Sequence, residues 1–280
     1  MASRAKSSSG ITRRSFLRGA AAASTVIAAP MIIPSHVLGK PGQPGANDRI
    51  CVAGIGVGRR GGYITYLGSK QQPVIAVADV NLPRAQQVAA KFKADAYQDY
   101  RKVLDRKDVD AIITATTDHW RALVCIHAAQ AGKDIYAEKP MTLTIVEGRR
   151  MVEAVRKYNR VFQTGSQQRS MKTNIIGCAM VRAGRAGKIK KVVAKNYPSP
   201  WPYHLSAQDV PAGLDWDTWC GPVGPVPYNA DLYAPRTKPG WISFREFSGG
   251  EMTGWGAHGF DMIQWALGTD DTGPVRIWTE

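Results

Sequence analysis

Short apolar runs and longer stretches of helical spacing alternate along the chain after Asp48. The first run, Arg49-Ile50-Cys51-Val52-Ala53-Gly54-Ile55, has the length and composition of a buried parallel strand. Similar runs at 74–77, 109–115, 134–137 and 161–164 predict four more strands. Between them, 62–69, 83–92, 99–104 (with Asp99 as cap), 119–131 and 145–158 read as helices. Thr144 and Glu147 stand in capping-box positions ahead of the last. Strands separated by helices imply a parallel, doubly wound α/β domain, placed here at 49–165. No internal repeat is visible.

The first strand runs into Gly56-Val57-Gly58-Arg59-Arg60-Gly61, a G-x-G-x-x-G turn between a strand and a helix. That context gives each glycine a task. Gly56 permits the tight turn, Gly58 admits a pyrophosphate to the backbone, and Gly61 lets helix and strand approach. The helix N-terminus adds unpaired N–H groups and a positive dipole. Asp79 ends the second strand, 23 positions after Gly56, where a carboxylate meets ribose hydroxyls and repels a 2′-phosphate. The expected cofactor is NAD, with NADP less favoured; Arg59 and Arg60 in the neighbouring loop soften that preference.

Composition narrows the partners. With 44% hydrophobic and 21% charged residues the chain is of globular type. The net charge of +15 owes six basic residues to the first forty positions, which hold no acidic one. Elsewhere only Lys188, Lys190 and Lys191 cluster, a run short enough to be a solvated face, so no nucleic-acid partner is expected. Cys51, Cys125, Cys178 and Cys220 lack zinc-site or CxxC spacing, so no metal is expected. Cys51 and Cys125 read as core residues; a Cys178–Cys220 bridge is left open.

The N-terminus, Thr12-Arg13-Arg14-Ser15-Phe16-Leu17-Arg18 followed by an apolar stretch over 19–33, resembles a twin-arginine (Tat) export signal. Its apolar stretch contains Pro30 and is shorter than the roughly twenty residues a membrane span needs. Residues 1–39 are therefore assigned to a signal, 40–48 to a tail, and no stable membrane span is expected. The resemblance implies the Tat machinery as a partner and a periplasmic or extracytoplasmic location. It also implies a cofactor held tightly, since the Tat route carries folded proteins.

Four further segments carry a family resemblance: Ala115-Thr116-Thr117-Asp118-His119-Trp120, Ala137-Glu138-Lys139-Pro140, Gln163-Thr164-Gly165-Ser166-Gln167-Gln168-Arg169 and Gly256-Ala257-His258-Gly259-Phe260-Asp261. Together they resemble the Gfo/Idh/MocA oxidoreductases. The resemblance implies a Rossmann domain followed, over 166–280, by an α+β substrate domain with an open, mostly antiparallel sheet. It implies hydride transfer between NAD(P) and a hydroxyl of a sugar, polyol or related compound. Thr116, Thr117, His119, Glu138, Lys139, Pro140 and Gln167 would join the cofactor site, with Glu138 on a ribose and Pro140 after a cis peptide bond. Lys139 would stabilise an alkoxide and His258 would be the acid/base, the two catalytic residues. Arg169, Trp216, Glu251 and Asp261 are candidates for substrate contacts.

The pattern has departures. Thr117 stands where the family usually has Pro, Arg121 where related exported members often have His, and Gly254 where D-x-x-x-H requires Asp. Glu251 or Asp261 is then left to partner His258. Asp215-Trp216-Asp217-Thr218-Trp219 with Gly221-Pro222 resembles an insertion of exported members, readable as a carbohydrate platform or as packing. Pro274-Val275-Arg276-Ile277-Trp278-Thr279-Glu280 reads as a strand just begun, so a C-terminally truncated chain with an incomplete sheet is expected. Two other functions stay open: a glycosidase of the same family using bound NAD without net redox change, and a non-catalytic ligand-binding member. The oligomeric state is also open, a homo-oligomer included.

Overall fold

A computed structural model describes residues 48–198, 200–234 and 240–278, together with Gly45. The signal-like segment 1–39 and most of the tail lie outside the described residues. Ile50–Glu280 makes one compact unit.

Strands β1 (Val52–Ile55), β2 (Val74–Ala78), β3 (Asp95–Tyr97), β4 (Ala111–Thr114), β5 (Asp134–Glu138) and β6 (Phe162–Gly165) form one sheet, ordered β3-β2-β1-β4-β5-β6. Every pairing is parallel. The connecting helices are α1 (Arg59–Ser69), α2 (Leu82–Ala90), α3 (Arg101–Leu104), α4 (Asp118–Gln130) and α5 (Ile145–Lys157). This is the doubly wound α/β fold expected, with its strand-order reversal between β1 and β4.

Period two along the strands buries both faces of the sheet. Ala53, Ile55, Ala76, Ala78 and Ile112 pack on one side with Val124, Cys125, Ala128 and Met151. Val52 and Val77 pack on the other with Ala85, Val88 and Ala89. A parallel sheet covered by helices on both faces requires such runs. The Thr144–Glu147 capping box forms reciprocally at the head of α5.

Beyond β6 a 3₁₀ turn (Gln167–Ser170) leads into α6 (Lys172–Arg182). The region 201–247 builds a second, aromatic core from Trp216, Trp219, Tyr228, Leu232, Phe244 and Phe247. Short helices α7 (Trp216–Cys220), α8 (Ala230–Tyr233) and α9 (Gly250–Gly254) precede α10 (Gly256–Leu267), which packs on α6. Among the described residues no strand follows β6, so the open antiparallel sheet expected here has no ladder. Val192, Val193 and Tyr197 lie exposed on backbone without a strand partner, and 274–278 likewise pair with nothing as a strand. A strand exists only where a neighbour takes its backbone hydrogen bonds. All four cysteines are free, so the Cys178–Cys220 bridge does not form.

Candidate active site

The carboxyl ends of β1, β2 and β4 open onto a cleft of about 230 Å³. Gly56, Gly58, Arg59, Arg60, Gly61, Asp79, Thr116 and Thr117 all line it. Gly56 has φ +71°, and a Cβ there would press on Thr116. A Cβ on Gly61 would fall 1.9 Å from the carbonyl oxygen of Gly56, so the start of α1 can pass the turn only as glycine. Gly58 differs: a Cβ there would meet nothing nearer than 3.8 Å, leaving its backbone open to the cleft. Gly58 also caps α1 without a side-chain hydrogen bond, and no acidic residue occupies the first turn. Backbone N–H groups of that turn therefore face the cleft end without helical partners.

Asp79 is buried at the end of β2. Its carboxylate accepts a hydrogen bond from the Asn81 backbone N–H at 2.9 Å and pairs with Arg84 at 3.4 Å. Burial raises its pKa, and the charge of Arg84 opposes the rise. Arg84 lies 5.2 Å over the Tyr233 ring and also lines the cleft.

A second cavity of about 240 Å³ adjoins the first, sharing Arg59, Arg60, Ala115, Thr116 and Trp241 with it. Glu138, Lys139, Pro140, Gln167 and His258 line it. The Lys139–Pro140 bond is cis. Lys139 Nζ donates to the carbonyl of Gly254 at 3.1 Å, so the backbone there stands where an Asp side chain was expected. His258, buried at the start of α10, has its Nε2 3.4 Å from the Gln167 amide nitrogen and its ring edge-on to Trp255. The Thr116 hydroxyl and the Gln167 amide oxygen are buried and lack hydrogen-bond partners among the described residues. Two orphaned polar atoms, an uncapped helix start and a glycine that leaves its backbone open fit a dinucleotide pyrophosphate and nicotinamide.

The structure separates other candidates from these cavities. His119 is turned inward between Trp219 and Phe247 and bonds the Trp219 carbonyl through Nε2. Burial pushes its pKa down to about 4, so it is a neutral core residue rather than a cofactor contact. Trp216 stacks on Trp219 at 4.4 Å and donates to the Val226 carbonyl, which leaves no free face for a sugar. Arg169 is engaged with Asp261 at 2.8 Å and with Asp270 at 2.6 Å. Asp261 therefore points at an arginine, not at His258. Glu251 accepts from the Trp255 backbone and lines neither cavity. Glu138, by contrast, stays at the second cavity, where it is paired with Arg60 at 2.5 Å, a partner reached across 78 positions.

Sequence reasoning missed two groups. Arg84 sits five residues after Asp79, on the first turn of a helix capped by Asn81, a spacing that points it back at the carboxylate. The buried pair Asp118–Arg121, 3.0 Å apart, supports the second cavity from below. Arg121 also donates to the carbonyls of Thr116 and Pro140, tying together the loops after β4 and β5. Asp118 accepts from Ser248 Oγ at 2.7 Å. Burial raises the Asp118 pKa, against the charge of Arg121.

Comparison with known proteins agrees with this geometry. Residues 49–166 match the oxidoreductase family, NAD-binding Rossmann fold, and residues 181–280 match the oxidoreductase family, C-terminal alpha/beta domain. The chain is similar to the inositol 2-dehydrogenase of Salmonella typhimurium, with 30% identity over 44% of this chain and 38% of that protein. It is also similar to the scyllo-inositol 2-dehydrogenase (NAD(+)) of Bacillus subtilis, with 31% identity over 48% of this chain and 40% of that protein. The chain thus spans about two fifths of the length of these curated relatives. Among solved structures, an NAD-binding protein from Listeria innocua shares the fold, with TM-score 0.54 and 21% identity over 77% of this chain and 52% of that one.

Proposed function

We infer that this chain, which carries both domains of the Gfo/Idh/MocA oxidoreductases, transfers a hydride between a nicotinamide dinucleotide and a hydroxyl of a sugar or polyol. The observation that carries the reading is the convergence of Lys139 and His258 on a cavity adjoining the dinucleotide cleft. The bound nicotinamide supplies the hydride acceptor or donor. The ammonium of Lys139 holds positive charge beside the substrate oxygen and lowers the cost of an alkoxide there. His258 takes or returns the hydroxyl proton at an imidazole nitrogen, with the Gln167 amide orienting the ring. Arg121 holds the two loops that present Thr116 and Lys139.

NAD is the favoured form, because the Asp79 carboxylate suits two ribose hydroxyls and repels a 2′-phosphate. The pairing of Asp79 with Arg84 narrows that preference without reversing it. Calorimetric titration should give tighter binding of NAD than of NADP. Export by the Tat route, to the periplasm or another extracytoplasmic space, rests on Arg13 and Arg14. Lysine at both positions should strand the precursor in the cytoplasm.

The experiment that tests the whole reading is mass analysis of nucleotide bound to the purified protein, followed by incubation with a panel of cyclitols, hexoses and glycosides. Net oxidation of a free hydroxyl compound is the expected result. Cleavage of a glycoside without net redox change, or no reaction with nucleotide in place, would overturn it.

A further inference from the structure

The aromatic region after α6 is not confined to its own core: Thr218, Trp219, Tyr233 and Trp241 line the same cleft as Gly56 and Asp79. Thr218, Trp219 and Tyr233 line this cleft alone, beyond the end of β2, whereas Trp241 also lines the second cavity. Backbone bonds fix them there. Asn81 and Leu214 form an antiparallel bridge, Leu82 N–H donates to the Gly213 carbonyl at 3.0 Å, and Asp215 N–H to the Val80 carbonyl at 2.9 Å. A few residues on, Trp120 Nε1 donates to the Thr218 carbonyl at 2.8 Å. The segment is thus pinned on both sides of the cleft, to the loop after β2 and to α4.

We propose that Thr218, Trp219, Tyr233 and Trp241 form the adenosine-side wall of the dinucleotide site, with Tyr233 and Trp241 as the residues that retain the bound dinucleotide. The proposal rests on the dinucleotide reading above and extends it to residues outside the Rossmann half. Tyr233 is placed for the task. Its hydroxyl accepts from Asn81 Nδ2 at 3.3 Å, and its ring lies under the Arg84 guanidinium that reaches Asp79. An adenosine bound against Asp79 therefore meets the Arg84 guanidinium, a flat cation on which a purine stacks, backed by the Tyr233 ring. Trp241 lines both cavities, at the junction between the adenosine and nicotinamide ends. A wall contributed by the second half of the chain gives slow release, as suits a dinucleotide that stays with its protein through many turnovers.

Release of NADH from the full chain, followed by its fluorescence after mixing with excess NAD, tests the wall, together with calorimetric titration of ADP-ribose. Tyr233→Ala and Trp241→Ala should each speed release about tenfold, as expected for loss of one well-packed aromatic contact. Tyr233→Ala should weaken ADP-ribose by a similar factor, whereas Tyr233→Phe, which keeps the ring, should stay within about twofold of the parent. Should Tyr233→Ala fail to fold, Tyr233→Leu keeps the bulk and removes the aromatic face, and the same acceleration is expected. Parent-like release in both alanine variants with unchanged ADP-ribose affinity overturns the wall while leaving the dinucleotide reading intact. A phenylalanine variant as fast as the alanine one overturns the stacking role. A parent protein that binds neither NADH nor NADPH overturns the dinucleotide reading itself, and the wall with it.

Discussion

Arg121→Met is the substitution from which most can be learned about how the site is held. Arg121 and Asp118 are 3% and 1% exposed, so their 3.0 Å contact is made almost wholly out of water. Methionine keeps the apolar stem and removes the guanidinium. Asp118 is then left with the Ser248 hydroxyl as its remaining named partner, and the carbonyls of Thr116 and Pro140 lose their shared donor. Removing one member of a buried ion pair costs about 3–5 kcal/mol, because the other charge stays behind uncompensated. For a folded unit of this size that corresponds to a fall of about 10 °C in Tm. The loss should also depend on pH. Burial already raises the Asp118 pKa and Arg121 restrains it, so the variant carries a carboxyl raised further. A group whose folded pKa lies above its unfolded value stabilises the fold below the unfolded pKa and loses that contribution as pH rises through the folded one. Urea unfolding followed by tryptophan fluorescence should therefore show the full loss at pH 8 and a smaller one at pH 5. The double variant Asp118→Leu/Arg121→Met, with no buried charge left, should be more stable than Arg121→Met alone. A loss under about 1 kcal/mol at pH 8, or a double variant weaker than the single, would refute the assignment of a stabilising pair.

Other substitutions separate the remaining parts. Gly61→Ala places a methyl 1.9 Å from the Gly56 carbonyl oxygen, so α1 must shift; Tm should fall and dinucleotide affinity by calorimetry on the folded variant should fall at least tenfold, and parent-like affinity counts against the turn as the pyrophosphate site. Lys139→Met should cost about two to three orders of magnitude in turnover, and His258→Ala about two to four with partial recovery at high pH. Both should leave ADP-ribose binding intact, and near-normal turnover in Lys139→Met on a proven substrate removes that residue from the chemistry. His119, with its pKa at about 4 against an ordinary 6.5, stays neutral in the fold while the unfolded chain takes up a proton. That contributes ~3 kcal/mol of stability, present above pH 6.5 and lost as pH falls towards 4. His119→Leu should flatten this part of the stability profile, and an unchanged profile argues that His119 is not the group responsible.

The cofactor cleft was legible in the chain because its demands are local. A positive φ at Gly56, a forbidden Cβ at Gly61 and a carboxylate at the end of β2 each leave a mark within thirty residues. The sheet was legible for the same reason, apart from β3, whose three residues at the sheet edge are too few and too polar to show a period. Partnerships made by tertiary folding left no such mark. Nothing in the spacing of Arg60 and Glu138 indicates that they pair, and neither Tyr233 nor Trp241 belongs to any motif. The tryptophan-rich segment was ambiguous from composition, since the same residues suit a sugar platform and a packed core. Trp216 resolves it by giving its Nε1 proton to Val226 and its face to Trp219. Two histidines that the sequence assigns to the site, His258 as acid/base and His119 as a cofactor contact, divide by burial geometry: His119 faces aromatic rings, and His258 faces the second cavity.

The antiparallel bridge between Asn81 and Leu214 joins positions 133 apart in the chain, two residues from Asp79. A dinucleotide held by both Asp79 and the proposed wall would make ligand binding and docking of the two halves one thermodynamic event, not two. A ligand that binds only the joined form stabilises it by RT ln(1 + [L]/Kd), about 2.7 kcal/mol at a hundredfold excess over Kd. That gain falls on the contact between the halves as much as on the nucleotide. The dinucleotide should then act as mortar: loading it ought to protect the 200–247 region from proteolysis, although few of its residues line the cleft.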